Sequence, residues 1–206
     1  MNKDLVNYIE NEIFPLYSKN EEGHGLKHIN KVIEKSLKFA KNYDVNIDMI
    51  YTIAAYHDLG HHIDRKRHEI ISAQIFMEDK NMKKWFSDEQ RKIIKEAIED
   101  HRASSKSNPR SIYGKIISTA DRTIISINDT ILRTYSYGKR NYKGITQEEQ
   151  IQRVYEHLKD KYGEKGYAKI YLEDKEFDES LKKLREALKD KKEFIKRVRE
   201  VVEKVK

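Results

Sequence analysis

Histidine is the residue whose distribution points first to chemistry. The chain holds eight His and no Cys, and seven of the eight (His24, His28, His57, His61, His62, His68 and His101) fall within residues 24–101. Four of these adjoin apolar, helically spaced positions: His28 before Val32, His57 after Ile53 and Ala54, His68 before Ile71, and His101 after Ile98. Burying several imidazoles without partners is costly, and one divalent metal ion would partner all of them. Imidazole combined with carboxylate suits Fe, Mn, Zn, Ni or Co rather than Ca. The absence of Cys excludes disulfides, iron–sulfur clusters, Cys-ligated zinc and thiol catalysis.

Charge supplies a second feature. The 206 residues carry a formal net charge of +7. Arg102, Lys106, Arg110 and Lys115 lie in a stretch free of acids, and Arg133, Lys139, Arg140 and Lys143 lie in another. These eight cations account for more than the whole surplus, which favours a local contact with an anion, either a phosphorylated small molecule or nucleic acid. The second stretch, RTYSYGKRNYK, interleaves Tyr135, Tyr137 and Tyr142 with its cations. That mixture suits a phosphate with a stacked base, or single-stranded nucleic acid.

The elements that must position these groups read as helices throughout. Ile29, Val32, Ile33, Leu37 and Ala40 share one helical face, as do Ile50, Ile53, Ala54 and His57. Ser87-Asp-Glu-Gln90 and Thr146-Gln-Glu-Glu149 are capping boxes that each open a helix. Leu181, Leu184, Leu188, Ile195, Val198 and Val202 form an amphipathic stripe near the C-terminus, predicting one helix or a helix pair. Breaks are predicted near residues 21–25, 42–46, 60–67, 104–110, 135–144 and 162–166. No alternating strand pattern is present, so the expected fold is all-α. A single domain over 1–206 is expected, with 146–206 as a helical extension packed on it. No uncharged run reaches the ~20 residues of a membrane span. The N-terminus lacks an apolar leader core, so a cytoplasmic protein with no membrane partner is expected.

The motifs HGLKHINKV, AAYHDLG and STADR, taken in this order, resemble the HD-domain metal-dependent phosphohydrolase superfamily, whose signature is H…HD…D on a helical bundle. The resemblance covers about residues 24–125 and implies a helical HD bundle with additional C-terminal helices. It implies that His28, His57, Asp58 and Asp121 hold one divalent transition metal (Fe, Mn, Ni, Co or Zn, with Mg as an alternative). His68 and His101 stand where some members hold a second metal, with the HD aspartate as a bridge. The implied activity is that of a small stand-alone HD hydrolase. A metal-activated water would hydrolyse a phosphoester or phosphoanhydride of a nucleotide or other phosphorylated small molecule. Asp58 would bridge the metals or orient the water, and His61, His62 or His24 would protonate the leaving group, with His61 preferred. Arg122, Lys66, Arg67, Lys139 and Arg140 are the candidate phosphate-binding cations. The alternative is a non-catalytic HD module that binds nucleotide or nucleic acid through the basic Tyr-rich segment. No helix-turn-helix, RNA-recognition or zinc-finger signature is present, which ranks nucleic acid low. Self-association as a homo-oligomer stays open.

Overall fold

The computed structural model describes residues 1–20, 22–105, 107–122 and 126–204. Glu21 and Lys106, both in predicted breaks, and residues 123–125 at the end of the HD-like region lie outside the described residues. Among the described residues the structure is all-α, with ten α-helices, shorter 3₁₀ and π-helical segments between some of them, and no strand. No helix among the described residues is long and apolar enough to cross a membrane. The chain divides into two compact units, Met1–Arg122 with Ile170–Leu172, and Thr123–Lys169 with Glu173–Lys206.

The first unit contains α1 (Lys3–Tyr8), α2 (Leu26–Ala40), α3 (Ile47–Tyr56), α4 (His68–Glu78), α5 (Asp88–Asp100) and α6 (Ile112–Asp121). Helix α3 is the centre of this unit, because every residue from Met49 to Tyr56 is buried. Its start is fixed by Asn46, whose side chain accepts from the backbone N–H groups of Asp48 and Met49. Around it, α2 packs on α3 and α6, and α5 packs on α3, α4 and α6. The predicted apolar face of α2 is the buried one: Ile29, Val32, Ile33 and Ala40 are all covered. Ser87 and Gln90 form the predicted capping box at the start of α5, each side chain bonding the other's backbone N–H.

Between α3 and α4 lies a 3₁₀ turn, Leu59–His62. Gly60 lets this turn approach α4. A Cβ at that position would sit 2.7 Å from Ile71 Cβ and 2.8 Å from the His68 carbonyl oxygen. The Gly60 N–H donates to Ser72 Oγ at 2.9 Å, so the turn after the His57-Asp58 pair is fastened to the helix that begins at His68.

The second unit contains α7 (Ile127–Asn141), α8 (Gln147–Tyr162), α9 (Lys175–Lys189) and α10 (Lys191–Glu203). The Thr146–Glu149 capping box forms as predicted. The C-terminal stripe is a helix pair, separated at Asp190, whose side chain caps α10. One boundary differs from expectation: residues 135–141 continue α7 instead of forming a loop. Gly138 lies inside this stretch of α7 and is buried against α8. Any side chain at 138 would overlap Gln150 and Arg153 of α8, so the glycine serves close helix packing.

Candidate metal centre

Five of the six predicted metal ligands lie at helix ends of the first unit. His57 caps the C-terminus of α3, and Asp58 follows it. His101 caps the C-terminus of α5, Asp121 ends α6, and His68 begins α4. His28 stands in the first turn of α2. The carbonyls in the last turn of a helix lack intrahelical partners, and the histidine rings use them. His57 Nδ1 donates to the Ala54 carbonyl at 2.8 Å, and His101 Nδ1 to the Ile98 carbonyl at 2.6 Å. His68 Nδ1 repeats the pattern with Arg65 at 2.9 Å. In each case the acceptor is three residues earlier. With the proton on Nδ1, each ring turns the lone pair of Nε2 toward the centre.

That centre is organised by Asp58, which is almost fully buried. Its Oδ2 faces one group of histidines: His24 Nδ1 at 2.7 Å, His57 Nε2 at 3.6 Å and His28 Nε2 at 3.7 Å. Its Oδ1 faces another: His68 Nε2 at 3.4 Å and His101 Nε2 at 3.5 Å. Asp121 Oδ1 joins the first group, 3.1 Å from His28 Nε2 and 3.8 Å from His57 Nε2. Burial alone would raise the Asp58 carboxyl, but His57, His24 and His101 hold it well below the usual carboxylate range. Asp121 is likewise driven well below that range, burial being outweighed by His28 and His57. His57 is desolvated, yet Asp58 and Asp121 raise it to about 9.

The donor set can be tested against a divalent cation. His28 Nε2 and His57 Nε2 are shielded from solvent and make no hydrogen bond, despite lying near carboxylate oxygens. His68 Nε2 and His101 Nε2 stand 3.0 Å apart. With both Nδ1 protons donated to carbonyls, these are two lone pairs in contact, and they repel unless a positive charge serves both. Two ionised carboxylates and converging imidazole nitrogens, with no sulfur, match the preferences of Mn, Fe, Co, Ni and Zn. Three triplets have ligand atoms within 4.8 Å of one another: His28, His57 and Asp121; His57, Asp58 and His101; and His24, His28 and Asp58. The residues fit a metal.

Comparison with protein families decides the relationship, since residues 25–124 match the HD domain. This segment is an HD domain. The matched segment carries all six predicted ligands, and HD domains are in general metal-dependent phosphohydrolases. No curated protein and no solved structure matches the chain.

The HD domain brings the predicted ligands together but treats the other predicted residues differently. His61 is buried and stacks on His24, with ring centroids 3.8 Å apart. Burial, and then the neighbouring His24, push the His61 ring down to about 3, so at neutral pH it has no imidazolium proton to give. Arg122 is also buried. Its Nη2 donates to the carbonyls of His101 and Arg102, both at 3.3 Å, and its guanidinium lies 5.2 Å from the centre of the Tyr171 ring. Lys66 and Arg67 are exposed in the loop leading to His68. Lys66 also lines an open cleft of about 610 Å³ with Glu69, Arg102 and Arg110.

Lys139 and Arg140 are exposed on α7 in the second unit. There, the Arg153 guanidinium lies 5.7 Å from the Tyr137 ring and 5.0 Å from the Tyr142 ring. Tyr137 and Tyr142 of the basic segment therefore already hold a cation.

Two contributors to the HD site were not assigned their contacts from sequence. His24 bonds Asp58 directly, and its placement four residues before His28 was the available signal. Asn20 donates to the Asp58 carbonyl at 2.9 Å, and its Oδ1 accepts from the His62 N–H at 3.2 Å. Nothing in the local sequence marks it.

Proposed function

We propose that the HD domain is a metal-dependent phosphohydrolase with a two-ion centre, acting on a nucleotide or another phosphorylated small molecule. His28, His57, Asp58 and Asp121 would hold one ion, and Asp58, His68 and His101 the other. The observation that carries this reading is the two-sided Asp58 carboxylate, each oxygen facing its own group of Nε2 lone pairs. A bound divalent cation would supply Lewis acidity toward a phosphoryl oxygen and acidify a water toward neutral pH.

The remaining work falls to the chain. Asp58 stays ionised and fixes the spacing of the two histidine groups. Helix-end carbonyls orient the rings of His57 and His101, and the Arg65 carbonyl in the turn before α4 orients that of His68, so their Nε2 atoms are directed before anything binds. His24 is 27% exposed, against 2% for Asp58, and is hydrogen-bonded to that carboxylate. It is therefore better placed than His61 to exchange a proton with a leaving group, while His61 supports it by stacking. Lys66 and Arg67 are exposed beside His68 and are assigned to the substrate's phosphate. Arg122 leaves that group, because its guanidinium is buried against main-chain carbonyls.

The nucleic-acid alternative is not favoured. Base stacking would need tyrosine faces, and Tyr137 and Tyr142 pack on Arg153. The test is hydrolysis of a panel of nucleotides, sugar phosphates and phosphodiesters by protein stripped with chelator and reloaded with Mn, Co, Ni, Zn or Mg. Turnover that requires the ion and disappears in Asp58→Asn supports the proposal. Absence of turnover with every ion and substrate refutes it.

A further inference from the structure

Asp121, His101 and His68 are each followed by a residue that ties the ring of ligands together from behind. Arg122 follows Asp121 and donates to the carbonyls of His101 and Arg102. Arg102 follows His101, and its Nη1 donates to Glu69 Oε2 at 2.9 Å and to the Lys66 carbonyl. Glu69 follows His68, with Oε2 3.5 Å from His68 Nδ1. Arg102 Nε also donates to Ser104 Oγ at 2.8 Å, which fixes the guanidinium from its other edge. The result is a relay of contacts from the end of α6, through the end of α5, to the start of α4.

His68 and His101 are the two rings whose Nε2 atoms face each other at 3.0 Å. Their separation depends on how the start of α4 is held against the end of α5. Direct side-chain attachment between these two points is provided by Arg102 and Glu69. We infer that Arg102 and Glu69 are positioning residues that set the His68–His101 spacing and hence the affinity of that half of the centre for its ion. This inference rests on the two-ion reading above. It concerns neither a ligand nor a substrate contact: Arg102 and Glu69 act through the histidines that precede them.

The geometry separates this role from a general contribution to stability. The Arg102 and Glu69 side chains are 28% and 15% exposed, and partly exposed ion pairs contribute little to global stability. Removing an outer partner of a metal-binding histidine, by contrast, typically weakens metal affinity roughly 10–100-fold. Removing the pair should therefore loosen one ion while leaving the fold and the other ion in place.

The experiment uses the full chain, stripped of metal and titrated with Co(II), with bound equivalents counted by equilibrium dialysis and followed by visible absorption. Wild type should bind two equivalents. Arg102→Met and Glu69→Gln should each weaken the second equivalent by about tenfold or more and leave the first within about twofold. Arg102→Lys should restore part of the loss, and the double variant should be no weaker than the worse single variant, since both remove one link. Unchanged affinity for both equivalents overturns the inference. So does equal weakening of both alongside a large fall in melting temperature, which is the signature of a general structural role. A wild-type protein that binds fewer than two equivalents overturns the two-ion reading and the inference with it. That failure is distinct because it appears before any variant is compared.

Discussion

Replacing Asp58 by Asn keeps the shape of the side chain and removes its charge, and the two-sided contacts of Asp58 give this change an unusual consequence. One oxygen faces His24, His28 and His57, and the other faces His68 and His101. If each group binds an ion, loss of the carboxylate should empty both positions, whereas His68→Ala should empty one. An ion that binds only the folded state at 100 times its dissociation constant stabilises by about 2.7 kcal/mol. Two such ions give wild type roughly 5 kcal/mol of metal-dependent stabilisation, His68→Ala about half that, and Asp58→Asn close to none. For a chain of this size each kcal/mol is worth roughly 2–4 °C in melting temperature. The expected shifts on adding Mn or Co to stripped protein are then roughly 10–20 °C for wild type and 5–10 °C for His68→Ala. Differential scanning calorimetry at matched free-metal concentrations reads this directly. An Asp58→Asn protein that keeps the full metal-induced shift would refute the shared-carboxylate geometry. A His68→Ala protein that loses everything would refute two separable positions.

Three predictions concern the scaffold around the site. Tyr51 and Tyr56 are both buried, but the Tyr51 hydroxyl makes no hydrogen bond while the Tyr56 hydroxyl donates to Asp79 at 2.6 Å. Tyr51→Phe should therefore be neutral or stabilising in urea denaturation at pH 7, and Tyr56→Phe should cost about 1.5–3 kcal/mol. Burial, and then Glu10, raise Tyr51 to about 12, while the unfolded chain ionises near 10. Stability from this group is intact below pH 10 and is lost as pH climbs toward 12, so the wild-type urea midpoint should fall more steeply over that window than that of Tyr51→Phe. Gly60→Ala should destabilise by about 1–3 kcal/mol through overpacking against Ile71 and the His68 carbonyl. It should also weaken metal binding measured by dialysis, because that turn sits between His57-Asp58 and His68.

Those scaffold positions mark where the sequence is transparent and where it is not. The two capping boxes, the apolar face of α2 and the histidine and aspartate set are written in local spacing, and local spacing is what a helix reads. The setting of Gly138 within α7 is not local: the ends of the Arg153 and Gln150 side chains of α8 occupy the space above that glycine. The same holds for Arg122. An arginine directly after a candidate ligand looks like a phosphate contact, and only the packing of α5 against α6 shows that its Nη2 donates to the carbonyls of His101 and Arg102. The short Ile170–Leu172 segment belongs to the first unit although it lies far along the chain, a placement no periodicity announces.

The same distinction separates arrival at a helix end, which local spacing announces, from the exposure and stacking of a ring, which it does not. A metal ligand is specified by residue type and by arrival at a helix end, and helix ends are predictable from caps and apolar periodicity. Proton transfer depends on exposure and on which ring covers which. His24, His61 and His62 are equivalent histidines in sequence. In the fold His61 lies beneath His24, while His62 is exposed and directed to Asn20. Of the three, His24 bonds the Asp58 carboxylate. Removing the stacking ring with His61→Ala should therefore reduce turnover by loosening His24, whereas His24→Ala should reduce it further and His62→Ala least. The reverse order between His61 and His24 in steady-state turnover of the metal-loaded protein would return the proton-transfer role to His61.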